Sequence, residues 1–287
     1  MRLPASFGSR LQASFAEFGH LCVGIDPHPA LLASWGLSDS AESLFQFGKT
    51  VIDECQGHIG MIKPQVAFFE RMGSKGFAAL EKLAEYANER KLIVIMDAKR
   101  GDIGTTMNGY FDAWLGKSAP FLCDALTVSP YLGFDSLLQT LSAAHERGKG
   151  VFVLAATSNS EARELQTAKQ HDSSVASAIW RKLGDVNRAV DGERMGSFGA
   201  VIGATVDPRT LEIELTSSNT TPILAPGFGV QGASLGQFNR LFGEASARTI
   251  ATVSRSVLDS GPNALGERIQ SSKNELKGNQ GVYFDSE

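Results

Sequence analysis

The sequence is poor in cysteine, in excess positive charge and in long apolar runs. Cys22, Cys55 and Cys123 are the only three cysteines in 287 residues; they lie far apart and form no C-x-x-C or zinc spacing. A disulfide framework is not expected, and a reducing compartment is the simplest setting. Lys and Arg number 27 against 31 Asp and Glu, a net charge of −4. No global basic field is offered to nucleic acid or to an anionic membrane, so neither is expected as a partner. An anionic ligand has to be met by a local cluster of Lys, Arg and backbone N–H groups. No apolar stretch approaches the roughly 20 residues that a membrane-spanning helix needs. The opening MRLPASFGSRLQASFAEFG carries Arg2 and Arg10 but no continuous apolar segment, so it does not read as a secretory signal. A cytoplasmic protein is the expectation. Internal repeats, low-complexity tracts and domain linkers are also missing.

What the chain does have is the composition of a globular protein, 43% hydrophobic and 20% charged. Its length suits a single α/β barrel. Short apolar runs recur at 21–25, 59–62, 92–96, 122–128, 150–154, 199–203, 222–225 and 249–253. Their apolar residues run on rather than alternate, as in strands buried on both faces. Most gaps between them carry helical spacing, for example Phe77, Leu80, Leu83, Ala84 and Ala87. The 135–147 stretch opens with Asp135 as an expected helix cap and is followed by Gly148. Eight strand–helix repeats predict a (β/α)8 TIM barrel of one domain over residues 1–270. Phe7, Leu11, Phe15 and Phe18 mark a preceding amphipathic helix suited to plug the barrel bottom. An insertion near 155–198 is expected to hold an extra helix around 173–190, and 271–287 reads as a loose polar tail.

In a parallel barrel the active site lies at the C-terminal ends of the strands. The polar residues that follow the apolar runs are therefore the candidates. The first run ends in Asp26 and the second in Lys63; the third leads into Asp97, Lys99 and Asp102 within MDAKRGDIGTT. The fifth reaches Thr157, Ser158 and Asn159, the seventh PGFGVQG, and the eighth Ser254, Arg255 and Ser256. Asp97 and Lys99 are two apart, so on extended chain their side chains point the same way. Alternating carboxylate and ammonium groups keep one another ionised, and Lys63 extends the row to Lys–Asp–Lys–Asp. Taken alone, D-x-K-x-x-D also fits a structural ion-pair network at a barrel rim.

A phosphate site is the second candidate. Pro226, Gly227 and Gly229 are expected to leave backbone N–H groups facing an anion, with the Gln231 amide and the Arg255 guanidinium beside them. Barrel enzymes often hold phosphate in the loops after strands seven and eight. By contrast, the five histidines show no ligand spacing, and Asp26-Pro27-His28-Pro29 reads as a rigid turn rather than a metal fragment. Ser158 has no matching His–Asp pair for a serine hydrolase. Gly101-Asp102-Ile103-Gly104 is no dinucleotide fingerprint, and Trp35, Trp114 and Trp180 read as packing residues.

DAKRGDIGTT resembles the signature of the orotidine 5′-phosphate decarboxylase family. GIDPHP, KPQVAFFE, LAATSN, LAPGFGVQG and SRSVL fall in the same order across residues 24–258 and agree with it. KPQVAFFE and SPYLGFDSL are similar to the longer, chiefly bacterial type 2 subfamily. The resemblance implies decarboxylation of orotidine 5′-monophosphate to UMP, without metal, flavin or pyridoxal. It implies that Lys99 protonates the C6 carbanion, that Asp97 sits against the departing carboxylate, and that Lys63 and Asp102 complete the charge network. It further implies a homodimer in which Asp102 and Thr106 reach the partner's site. Asp26 and Lys63 would bind ribose hydroxyls and Ser158 the pyrimidine edge; Gln231, Arg255, Gly227 and Gly229 would hold the phosphate. Asn159-Ser160 and Ser129-Pro130 depart from the commoner subfamily, which bears on base recognition.

Two other readings remain at this stage. Sister sugar-phosphate decarboxylases and aldolases resemble the same motif but use Mg²⁺ to stabilise an enediolate. They tend to place a metal-binding carboxylate where Lys63 stands, and Glu70 falls on an expected helix. The other reading is a non-catalytic barrel that binds a phosphate ligand through an intact grip while its Lys–Asp network is broken.

Overall fold

Eight parallel strands close into a barrel in strict chain order. They are β1 (Leu21–Ile25), β2 (Met61–Pro64), β3 (Ile93–Arg100), β4 (Ala125–Val128), β5 (Gly150–Ala156), β6 (Phe198–Ile202), β7 (Ile223–Ala225) and β8 (Thr249–Val253). The structure, a computed structural model, describes residues 4–218 and 220–278. The main helices are α1 (Phe7–Phe18), α2 (Ala41–Cys55), α3 (Gly73–Glu89), α4 (Gly104–Trp114), α5 (Leu138–Glu146), α6 (Val175–Asp191) and α7 (Leu265–Lys277). Among the described residues the β6–β7 connection holds two short 3-10 turns, Pro208–Leu211 and Leu215–Ser217.

Side chains alternate along each strand, and this sorts them into two cores. Outward residues such as Val23, Ile62, Val94, Leu126 and Val153 pack under the helices. Inward residues Cys22, Met61, Ile93, Ile95, Phe152, Leu224 and Ile250 fill the lower barrel. Helix α1 closes that end, contributing Phe7, Leu11 and Phe15 to the inner core. Phe7 meets Phe152 edge-on, with ring centroids 5.9 Å apart. Gly150 makes room for it: a Cβ there would lie 2.5 Å from the Phe7 ring. Arg10 fixes the plug by pairing with Asp124 and donating to the Gly148 carbonyl. All three cysteines are free and buried.

Going up the same inward rows, apolar residues give way to polar ones. Met61 is followed by Lys63, Ile95 by Asp97, Ala125 by Thr127, and Ile250 by Thr252 and Ser254. The period of two thus carries these four strands from plug to pocket, while Leu154, Val201 and Leu224 line the cavity as apolar residues.

Several boundaries differ from the sequence reading. β2 sits two residues later than expected, so Lys63 lies inside the strand, not after it. β3 runs on to Arg100, because Asp97 and Lys99 find charged and hydroxyl partners inside the barrel that apolarity does not reveal. β4 begins at Ala125, since the Asp124 carboxylate turns to accept from the Val94 N–H and from Arg10. Asp135 does not cap a helix: it lies in a 3-10 turn, Phe134–Leu137, and accepts from Lys182. Helix α6 is the ordinary crossover, packed on β5 and β6. The surplus in this region is instead a short helix, Ala162–Thr167, and a small hairpin pairing Lys169 with Ser174. The polar tail was expected from 271, yet α7 continues to Lys277, because Leu265, Ile269, Ser272 and Leu276 make a buried stripe at three- and four-residue spacing. Residues 279–287 of that expected tail lie outside the described residues.

Candidate active site

A cavity of about 300 Å³ opens at the C-terminal ends of the strands. Of the sequence candidates, Asp26, Lys63, Asp97, Lys99, Ser158, Gly227, Gln231 and Arg255 line it. Asp102, Thr106 and Gly229 do not. The Asp102 carboxylate accepts from the Ile103 N–H, and Thr106 is exposed on the first turn of α4.

The charged centre is a row across two neighbouring strands. The Lys63 ammonium on β2 lies 3.1 Å from Asp97 Oδ2, and Lys99 Nζ lies 2.6 Å from Asp97 Oδ1. The Lys63 and Asp97 side chains are 7% and 13% exposed, whereas Lys99 is 44% exposed. Lys99 is therefore the ammonium that a ligand in the cavity meets. Burial acts against the charge on Lys63, but Asp97 and Asp26 outweigh it and hold its pKa above the ordinary lysine range. Burial likewise opposes the charge on Asp97; Lys63 and Lys99 overcome it and hold the carboxyl down to about 2. The buried pair is ionised throughout the neutral range.

The backbone beneath the row is irregular. Met96 pairs with Leu126 and Arg100 with Val128, so Asp97, Ala98 and Lys99 together face Thr127. Lys99 sits at φ +50, in the left-handed region that a non-glycine residue occupies at a cost of about 1–3 kcal/mol. Its N–H donates to Thr127 Oγ1 at 2.9 Å, and that hydroxyl donates to Asp97 Oδ1 at 3.0 Å. With its amide nitrogen turned toward Asp97, Gln65 donates to the Asp97 carbonyl at 2.7 Å and to Oδ2 at 3.0 Å.

On the β1–β8 side, Ser254 Oγ donates to Asp26 Oδ2 at 2.5 Å. Asp26 lines the cavity, and its Oδ1 is buried with no hydrogen-bond partner among the described residues. His28 caps the short helix Pro29–Ser34, its Nδ1 accepting from the Leu31 N–H at 3.2 Å. The DPHP segment is thus the turn it was expected to be.

The Gly-rich loop after β7 departs from expectation at one residue. The Gly229 N–H does not face the cavity but donates to the Ala233 carbonyl at 2.7 Å. Gly229 is required for close approach: its φ is +86, and a Cβ would come within 2.4 Å of Ser256 Cβ. Gly227, at φ +111, lies beside the Gln231 side chain, and both line the cavity with Arg255. Ser158, which follows β5, lines the cavity as well. Its neighbour Thr157 is held twice by Gln166, which accepts from the Thr157 N–H at 3.0 Å and donates to its hydroxyl at 2.9 Å.

Thr127, Gln65 and Gln166 were not among the sequence candidates; Ser254 was named at the end of the eighth run, but not as the partner of Asp26. Thr127 was readable, since it follows Ala125 by two residues on an inward row. Gln166 was not, because it reaches Thr157 from the short helix of the insertion. Glu70 ends the helix Val66–Glu70 and pairs with Arg100 at 2.9 Å. Among the described residues, no group of three or more His, Cys, Asp or Glu is arranged to hold a metal ion.

The chain is similar over nearly its whole length to curated orotidine 5′-phosphate decarboxylases. That of Streptomyces coelicolor is 46% identical, matching 91% of this chain and 93% of the relative. That of Corynebacterium glutamicum is 42% identical, over 94% and 96%. A crystal structure from Streptomyces avermitilis, provisionally assigned to the same enzyme, superposes with a TM-score of 0.88 at 43% identity and 97% coverage of both chains. Residues 19–267 match the model of the orotidine 5′-phosphate decarboxylase / HUMPS family, and the chain belongs to that family.

Proposed function

We propose that this protein decarboxylates orotidine 5′-monophosphate to UMP and carbon dioxide, in pyrimidine biosynthesis. The observation that carries this reading is the Lys63–Asp97–Lys99 row in a closed-sided cavity, faced by Gln231 and Arg255. The relatives at 41–46% identity bear that enzyme's name.

In the reaction the bond from C6 to the carboxylate breaks and its electron pair stays on C6. The Lys99 ammonium lies over that carbon, stabilises the pair as it develops, and gives it a proton. Such a fixed charge acts mainly near the transition state, where the carbanion exists. Solvent reprotonates the lysine. Asp97 stands against the leaving carboxylate and holds Lys99 charged and aimed. Lys63 keeps Asp97 ionised and, with Asp26 on the same cavity wall, meets ribose hydroxyls. Ser158 bonds the pyrimidine edge. Arg255, Gln231 and the Gly227 backbone hold the phosphate, and Gly229 shapes their loop. PGFGVQGAS is the segment suited to close over the bound nucleotide, so that distant phosphate binding serves the reacting ring.

The functional unit in this proposal is a homodimer in which Asp102 and Thr106 enter the partner's cavity and Asp102 completes the charge row. Both lie outside their own chain's cavity. Ile103, next to Asp102 in the chain, is 58% exposed, and Tyr131 and Leu132 on the loop after β4 are exposed as well. Exposed apolar side chains on the loops that follow β3 and β4 suit burial by a second copy. The buried free thiols suit a cytoplasmic location, and among the described residues no helix is long and apolar enough to cross a membrane. The test is conversion of orotidine 5′-monophosphate by purified protein; absence of UMP formation contradicts the reading.

A further inference from the structure

The β3 bulge places one hydroxyl at the junction of the site's two central charges. Three residues of β3, Asp97 to Lys99, stand opposite the single residue Thr127 of β4. A bulge disrupts the ladder locally and leaves its extra residue without a regular partner. Here the Lys99 N–H finds the Thr127 side chain instead, at 2.9 Å. The same oxygen donates its own proton to Asp97 Oδ1 at 3.0 Å, and that carboxylate oxygen also accepts from Lys99 Nζ at 2.6 Å. Backbone nitrogen, hydroxyl, carboxylate and ammonium thus form a closed ring that starts and ends on Lys99. Thr127 is 1% exposed, so no solvent molecule readily replaces its hydroxyl. Lys99 is also the residue held in the left-handed region.

We infer that Thr127 is a positioning residue: its hydroxyl holds the strained Lys99 backbone and orients Asp97, so that the Lys99 ammonium is fixed over the reacting carbon. The inference rests on the decarboxylase reading. It assigns Thr127 no contact with the nucleotide and no proton in the reaction. A hydroxyl is required because the position must accept from one group and donate to another, which a hydroxyl does and an aliphatic side chain of the same shape does not.

The test compares Thr127→Val, which keeps the shape, with Thr127→Ser, which keeps the hydroxyl. In T127V, kcat falls roughly ten- to hundredfold, because misplacing a reacting group is expensive. KM stays within about twofold, because binding of the phosphate and base does not pass through this ring. T127S restores kcat to within about threefold of the unmodified protein. A purely structural role gives a different pattern, with both variants losing stability and the split between kcat and KM absent. The inference is overturned if T127V retains kcat within about twofold, or if T127S is as slow as T127V. If T127V does not fold, Thr127→Ala carries the same comparison against T127S. If the unmodified protein does not convert orotidine 5′-monophosphate, the decarboxylase reading fails by itself. The positioning role is then judged by a crystal structure of T127V: Lys99 leaving the left-handed region supports it, and an unchanged Lys99 φ and Nζ–Asp97 distance overturn it.

Discussion

Lys63 and Asp97 sit on neighbouring strands with nitrogen and oxygen 3.1 Å apart, and both side chains are almost wholly enclosed. An ion pair so placed is sensitive to the loss of one partner. Removing one charge leaves the other buried and uncompensated, at a cost of about 3–5 kcal/mol. Asp97→Asn is accordingly expected to lower the unfolding free energy by an amount in that range near neutral pH. Chemical denaturation measures it, and a loss below about 1 kcal/mol contradicts the description of the pair.

The same pair sets a pH dependence. The Asp97 carboxyl is held down to about 2 in the folded protein, below its unfolded value. Its contribution is therefore fully present above the ordinary carboxylate range and is lost as pH falls through about 2. The stability gap between the unmodified protein and D97N is expected to be constant from neutral pH to about 5, and to narrow below about 4. Lys63, raised by its carboxylate neighbours, contributes no titration below the ordinary lysine range. A gap that narrows already between pH 7 and 5 contradicts this assignment.

Lys99 is more exposed to the cavity than either of its neighbours in the row. Lys99→Ala is expected to cost kcat roughly a thousandfold or more, as for loss of a positioned acid together with its charge. Affinity for the product UMP, which depends on the phosphate grip, should change by less than about tenfold. Turnover and UMP titration on one preparation give both numbers. Near-normal turnover removes Lys99 from the mechanism.

At the other end of the cavity, Arg255→Ala should lower kcat/KM roughly ten- to hundredfold, the range for a lost charged hydrogen bond. The effect should shrink for orotidine, which lacks the phosphate. Gly229→Ala should also impair the loop, through the clash with Ser256 and the left-handed φ and not through a lost N–H contact. Equal losses with orotidine and its phosphate contradict the placement of Arg255.

Much of this architecture was legible in the sequence because its signals are local. Eight apolar runs gave the strands, and Phe7, Leu11 and Phe15 gave the plug. Lys63 and Asp97 were legible because a period of two carries them inward above Met61 and Ile95, and Lys99 because it stands in the same D-x-K motif, although the bulge and not the regular pleat sets its direction. Thr127 stands on an inward row two residues after Ala125, but within ALTV a threonine reads equally as one more β-branched core residue. The bulge that makes it matter depends on the register between β3 and β4, a relationship of two distant segments. Gly229 illustrates the opposite error. Its sequence context suggested an anion-facing N–H, whereas the close approach of Ser256 sets its role. Helix α7 escaped notice because its buried stripe is interrupted by polar residues, one of which, Ser272, is itself buried.

The plug offers a test of the fold that leaves the pocket alone. Phe7 is fully buried against Phe152 beneath the barrel. Phe7→Ala should destabilise by about 3–5 kcal/mol, as for a large core aromatic. KM should remain within about twofold where the variant is folded. A loss under about 1 kcal/mol in a denaturant titration contradicts α1 as an integral part of the core.

The central claim is tested most directly by the ultraviolet absorbance of orotidine 5′-monophosphate on addition of purified protein, with and without EDTA. The account expects rapid conversion to UMP at a rate that EDTA does not change. No conversion, or conversion abolished by EDTA and restored by Mg²⁺, contradicts it.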